Sequence, residues 1–340
     1  MRGLLIAVCI AFAGQAHAAC PPATGIEPVV SLNFGSRYEK DDASRSVLNR
    51  ESNAAVTQAL QPVDDFIREM SWNANNVLRS SDDRIAHADC LIAELADWAE
   101  ADALSDLKSF NASLAIGARL AGIAEVFRQL RPFGSNAQNR ILIESWLKTR
   151  AYEQIDFWEK TATDGARQGN LRAWASLAVF LAADLTDDDY ARLWSLASAA
   201  RVVCSAREDG SLPLEMGRGR FALHYQFYAI APLTVLAARA DDSGVALHEI
   251  CGKSLQSAVN FALQDFRANG AASMAYSGEP QWMIERPLAK NAHNFAWIPA
   301  YLTIVSDSVA AEFMANFEDM VSSKLGGDQR LLWETGQDLD

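Results

Sequence analysis

Arg218 and Tyr225 are the residues of this chain whose types and spacing point most directly to chemistry. They stand seven positions apart in the run Leu212-Pro213-Leu214-Glu215-Met216-Gly217-Arg218-Gly219-Arg220-Phe221-Ala222-Leu223-His224-Tyr225-Gln226-Phe227-Tyr228-Ala229. Seven residues make about two turns of an α-helix, so both side chains are expected on one face. A guanidinium grips a carboxylate bidentately, and a deprotonated phenol beside it can act as a base. Together they suit removal of a proton from the carbon next to a carboxylate. The same spacing also suits an ordinary surface arginine near a half-buried ring, so the rest of the chain has to decide.

The elements that would position this pair begin after residue 18. Met1-Arg2 is a short positive start, residues 3–14 are an apolar run, and Ala16-His17-Ala18 fits a small-residue cleavage site. Such a run is too short to span a bilayer. His17 stands where a lipoprotein signal ahead of Cys20 would carry a branched apolar residue, so no lipid anchor is expected. Residues 1–18 thus read as a signal peptide, and residues 19–340 as one exported domain, periplasmic or secreted.

Export puts the cysteines in an oxidising compartment. Cys9 leaves with the signal; Cys20, Cys90, Cys204 and Cys251 remain and allow three connectivities, of which Cys20–Cys90 with Cys204–Cys251 is favoured. There is no C-x-x-C pair and no glycine-rich nucleotide loop, and the chain holds five histidines. Neither a metal nor an organic cofactor is expected. The net charge of −13 argues against nucleic acid or an anionic membrane as partner, and a monomer is expected.

Apolar residues recur at three- and four-residue spacings through 56–78, 85–104, 112–130, 141–157 and 171–185. The pattern continues through 190–203, 221–238, 246–266, 295–305 and 310–321. Turn signals such as Pro132-Phe133-Gly134-Ser135-Asn136 and Asp241-Asp242-Ser243-Gly244 separate these segments. The chain is therefore expected to be all-α, with roughly ten helices in antiparallel hairpins. A helical solenoid and a closed α/α toroid both fit that description. Absent strict repeats and with nine tryptophans, whose rings can stack on sugars, the toroid is the better fit.

Four stretches resemble the periplasmic mannuronate-specific alginate lyases, polysaccharide lyase family five. They are Ser31-Leu32-Asn33-Phe34-Gly35-Ser36-Arg37-Tyr38-Glu39-Lys40, Gly169-Asn170-Leu171-Arg172-Ala173-Trp174, the run from Leu212 to Ala229, and Phe295-Ala296-Trp297 with Tyr301. The resemblance implies an incomplete α/α toroid that cleaves an acidic polysaccharide by β-elimination. It also implies roles: Tyr225 as catalytic tyrosine, Arg218 and Asn170 as carboxylate neutralisers, Arg37 and Tyr38 on a substrate lid, and Trp174 stacking on sugar. Arg220 and His224 flank the tyrosine as further substrate-binding candidates, and Lys290 and Trp297 are weaker ones for the same cleft.

The chain departs from the family pattern at the catalytic histidine, which is Leu171 here; Gly169, Gln226 and Phe227 are further departures. Leucine can neither give nor take a proton. In β-mannuronate the C5 hydrogen and the C4 oxygen leave from the same side of the ring, so Tyr225 alone could serve as base and then as acid. In α-guluronate they leave from opposite sides, which calls for two groups. Arg218 and Arg220 are the cations expected to help the phenol ionise, and Arg172 and His224 are candidate substitutes for the imidazole. A mannuronate-rich polymer is the expected substrate. A glucuronan, which shares the relevant ring configurations, and a polysaccharide-binding role without catalysis are the alternatives.

Overall fold

The computed structural model describes residues 20–80 and 82–334; the signal peptide expected over residues 1–18 lies outside the described residues. Helices dominate, at 68% of residues against 3% in strands, as an all-α reading requires. In chain order they are α1 (Arg50–Arg79), α2 (Arg84–Glu100), α3 (Phe110–Ala115), α4 (Gly117–Leu130), α5 (Ala137–Asp156), α6 (Asn170–Leu185) and α7 (Asp189–Val203). There follow α8 (Pro213–Met216), α9 (Ala222–Asp241), α10 (Ile250–Arg267), α11 (Ala271–Ser277), α12 (Ile298–Ile304), α13 (Ser308–Ala315) and α14 (Gln329–Glu334).

Their starts follow from local chemistry. The side chains of Asn49, Ser109, Asn136, Asp188 and Asp307 accept backbone N–H groups in the first turns of α1, α3, α5, α7 and α13. The packing forms two layers. One runs α1–α4–α6–α9–α12 and the other α2–α5–α7–α10, each outer helix packed on inner ones. This arrangement is an incomplete α/α toroid. Composition sorts the layers: α6 and α9 are apolar nearly all round and buried along most of their length, as inner helices must be. The α9 segment is apolar and long enough to cross a membrane, but its apolar surface is covered by the surrounding helices.

Close approach fixes one inner contact. A Cβ on Gly117 would come within 2.8 Å of the Ala175 backbone nitrogen, so glycine lets the start of α4 lie against α6. The predicted helix over 112–130 is broken at Ile116 into α3 and α4, next to this contact. Disulfides join Cys20 to Cys90 and Cys204 to Cys251, the pairing favoured from the sequence.

Short strands secure the two ends. β1 (Ser31–Leu32) pairs in parallel with β2 (Asp106–Leu107), tying the N-terminal segment to the body. Residues 37–49 then fold over the inner helices, with Glu39 N–H donating to Val47 O and Asn49 N–H to Arg37 O, both at 2.9 Å. The Asp42 carboxylate braces this loop by accepting the N–H groups of Ser46 and Val47 at 2.6 and 2.7 Å.

At the other end the predicted helix over 310–321 stops at Ala315. The chain turns instead into an antiparallel hairpin, β3 (Val321–Ser322) with β4 (Gly327–Asp328). Gly326 and Gly327 have φ of +90° and +111°, and a Cβ on either would collide with Glu125 or Asn75. Asn75 Nδ2 donates to Gly326 O, Asn75 Oδ1 accepts Asp328 N–H, and Gln129 Nε2 donates to Gly326 O. These buried amides clamp the hairpin onto α1 and α4.

Candidate active site

A cavity of about 390 Å³ opens among the inner helices, the 37–49 loop and the C-terminal hairpin. Helix α9 supplies His224, Tyr225 and Tyr228 to its wall, α6 supplies Asn170, Leu171 and Trp174, and the loop supplies Arg37 and Tyr38.

Tyr225 and Arg218 do meet, although not by the expected route. Arg218 lies before α9, ahead of a 3₁₀ turn at Gly219–Phe221, so the two residues do not share a regular helix face. The turn brings the guanidinium over the phenol ring instead, 3.9 Å from the ring centroid, and 5.3 Å from that of Tyr38. Its Nε and Nη2 donate to the carbonyls of Ser44 and Arg45, both at 3.1 Å. Arg218 therefore stitches the loop down onto the tyrosine.

The hydroxyls of Tyr38 and Tyr225 are hydrogen-bonded to each other. Burial, and then the neighbouring Tyr225, push the Tyr38 phenol well above its ordinary value, so Tyr38 keeps its proton. A protonated Tyr38 can donate this hydrogen bond to the Tyr225 oxygen.

Asn170, the first residue of α6, is held by Glu215 of α8. One carboxylate oxygen accepts the Asn170 backbone N–H and the other accepts from Nδ2, both at 2.8 Å. Gly169 has no side chain to cap α6, and Glu215 caps it from across the site. Burial raises the Glu215 carboxyl above its usual range. The amide carbonyl oxygen of Asn170 is buried without a partner.

His224 lines the cavity, its ring 5.1 Å from that of Tyr225, although the helical angle between the two suggests divergence. Desolvation, followed by the positive neighbours His293 and Arg218, pushes its imidazole down to about 3. It is neutral at physiological pH. Trp174 is in the wall but buried, packed against Tyr228 with centroids 5.2 Å apart. Arg37 lines the cavity while its Nη1 donates to Asn53 Oδ1 and Thr57 Oγ1, both at 2.8 Å.

Other expected site residues lie elsewhere. Trp297 is fully buried, packs against Tyr301 and Phe227, and donates its indole N–H to Asn294 O, so it belongs to the core. Arg220 turns to Glu285, 2.7 Å away, and Lys290 is exposed; neither lines the cavity. Arg172 is buried against Glu159 and Ser198, away from the site, and so cannot stand in for an imidazole. Leu171 does face the cavity, placing an apolar wall there.

The cavity also contains Tyr228, which lies in the run from Leu212 to Ala229 but to which the resemblance gives no role, and residues that no sequence motif marks: Asn111, Arg119, His293, Asn294 and Lys324. Arg119 is paired with Asp64 at 2.7 Å. The one sequence signal near Lys324 is the Gly326-Gly327 pair just after it, which marks a turn. Among the described residues no group of three or more His, Cys, Asp or Glu side chains gathers as a metal site would.

A cavity of this kind in a helical toroid, with a phenol among cations, has the charge to take an anionic ligand. The alginate lyase family matches residues 33–272, and the chain belongs to that family. It is a polysaccharide lyase acting on alginate. An alginate lyase of Pseudomonas syringae pv. syringae is 27% identical over 305 residues, covering 87% of this chain and 78% of the relative. A polysaccharide lyase of Stenotrophomonas maltophilia is 30% identical over 230 residues, 66% of each chain. The crystal structure of alginate lyase A1-III from Sphingomonas species A1 superposes with a TM-score of 0.73 at 23% identity, covering 93% of this chain and 89% of that one. It shares the fold. A variant of A1-III has been solved in complex with a tetrasaccharide, with a TM-score of 0.74.

Proposed function

We propose that this chain cleaves mannuronate-rich alginate by syn β-elimination, with Tyr225 as both base and acid. One observation carries the reading. The Tyr225 hydroxyl meets a proton-retaining Tyr38 under a stacked Arg218, while the neighbouring wall position, Leu171, can carry no proton. The phenolate takes the C5 proton, the C5–H electrons form the C4=C5 double bond, and the C4–O bond breaks. Tyr225 then returns the proton to the departing O4, leaving an unsaturated uronate at the new non-reducing end. His224 is neutral, its Nδ1 buried without a partner, and it is a weak base. Trp174, Arg37 and Asn170 would contact the sugars that bracket the scissile bond. The tetrasaccharide bound to A1-III supports an oligosaccharide ligand here too.

The two disulfides support an oxidising compartment, the periplasm or the exterior. The unsaturated product absorbs in the ultraviolet, so mannuronan, guluronan, mixed alginate and glucuronan can be screened directly. Fastest cleavage of mannuronan is expected. Guluronan cleaved as fast as mannuronan would overturn the single-tyrosine reading, and binding without any absorbance rise would favour a non-catalytic role.

A further inference from the structure

Elimination next to a carboxylate builds negative charge on that group as the proton leaves, so the cavity needs a cation free to meet it. The arginines on its wall are largely committed. Arg218 donates from Nε and Nη2 to the loop carbonyls and lies over the Tyr225 ring. Arg119 is paired with Asp64 and also donates to Ala115 O. Arg37 is bound to Asn53 and Thr57, and Arg45 sits exposed on the loop at the cavity mouth.

Lys324 differs from all of them. It projects into the cavity from the 3₁₀ turn Ser323–Leu325 of the C-terminal hairpin. It forms no hydrogen bond or ion pair with the described residues; its ammonium lies 5.7 Å from the centroid of Tyr228, one helical turn from Tyr225. The hairpin that carries it is pinned by Asn75, Gln129 and the two glycines, so the position is rigid. A half-buried ammonium without an acceptor is costly to hold unless a ligand supplies one.

We propose that Lys324 receives a uronate carboxylate of the bound polymer, making it the chain's principal substrate-contacting cation, with Arg218 serving to hold the loop. This rests on the uronate-polymer reading above. The electrostatics agree. Burial first, and then Arg119 and Arg37 against the opposing Asp64, lower the Lys324 ammonium to about 8. His224 and His293 face it as well, both pushed down and neutral, and Tyr228 covers it from α9. A carboxylate arriving beside it should therefore raise its affinity for a proton.

The test separates binding from chemistry by working in a Tyr225→Phe background, where the polymer persists. Calorimetry with a mannuronate tetramer at pH 8 should show proton uptake on binding, read as a dependence on the buffer's ionisation enthalpy. Adding Lys324→Met should abolish that uptake and weaken binding about 30-fold, the loss expected for one charge-assisted hydrogen bond. Lys324→Arg should restore most of the affinity without the uptake. In the otherwise native enzyme, kcat/KM should fall as pH rises through about 8, and Lys324→Arg should move that limb to higher pH. Unchanged affinity and unchanged proton uptake in Lys324→Met would overturn the proposal. If the native enzyme eliminates nothing from any polymer, the lyase mechanism fails while the calorimetric result for Lys324 still stands or falls by itself.

Discussion

Arg218 and Lys324 line one cavity with the same charge, but their surroundings give them opposite roles. The segment before α9 delivers Arg218 into a nest of acceptors, where loop carbonyls and two phenol rings satisfy it. The C-terminal hairpin delivers Lys324 with no hydrogen-bond or ion-pair partner among the described residues, only the Tyr228 ring 5.7 Å away. A cation already satisfied organises the site, and one left unsatisfied can recognise a ligand. Residue type alone ranks the arginine first, since its fork suits a carboxylate better.

The comparison can be broken or sharpened by substitution. The largest effect should come from Tyr225, the ring beneath Arg218. Tyr225→Phe should lower kcat by about 10⁴-fold, the upper range for removing an acid–base group, with an unchanged circular-dichroism spectrum. Retained activity would sink the mechanism that gives both cations their meaning.

Arg218→Ala should reduce kcat/KM by about 100-fold by releasing the 37–49 loop. Limited proteolysis would check the cause: cleavage within 37–49 should accelerate in Arg218→Ala and stay at the native rate in Lys324→Met. Equal proteolysis of the two variants would erase the distinction drawn between them.

Leu171→His puts a proton carrier on the α6 wall of the cavity. A measurable gain on guluronan, with mannuronan cleavage changed less than about tenfold, is expected from the anti geometry that guluronate requires. No gain would leave Tyr225 as the only competent group for either sugar.

The smallest effect concerns stability. The folded state holds the Lys324 ammonium at about 8, below the ordinary lysine value, so charging it penalises folding. That penalty is fully present below about pH 8 and fades as pH rises toward the unfolded value. Lys324→Met should thus raise Tm by about 2 °C at pH 7, and by less at pH 10, in differential scanning calorimetry. A lowered Tm at pH 7 would mean that the ammonium is satisfied in the free protein.

Much of the fold is legible in the order of residues. Apolar periodicity marks the helical segments because inner helices such as α6 and α9 are long and strongly patterned. The favoured disulfide pairing is the one present, and Asn170, Trp174, Arg37, Tyr38 and Tyr225 are all on the cavity wall. Trp297 and Arg220 escape such reasoning because aromatic character and charge do not reveal direction: one indole fills the core and one guanidinium finds Glu285 on the surface. The hairpin at 321–328 is hidden at the end of a short apolar run, and Lys324 with it.

By itself, then, the sequence determined the helical class, and it marked Tyr225 and Leu171 as positions to look for at the site, since each follows from local periodicity or side-chain chemistry. Only the tertiary structure decided which cation is free. Whether an arginine is committed depends on acceptors brought from about 170 residues away in the chain, as Ser44 and Arg45 are to Arg218, and no local pattern encodes that meeting.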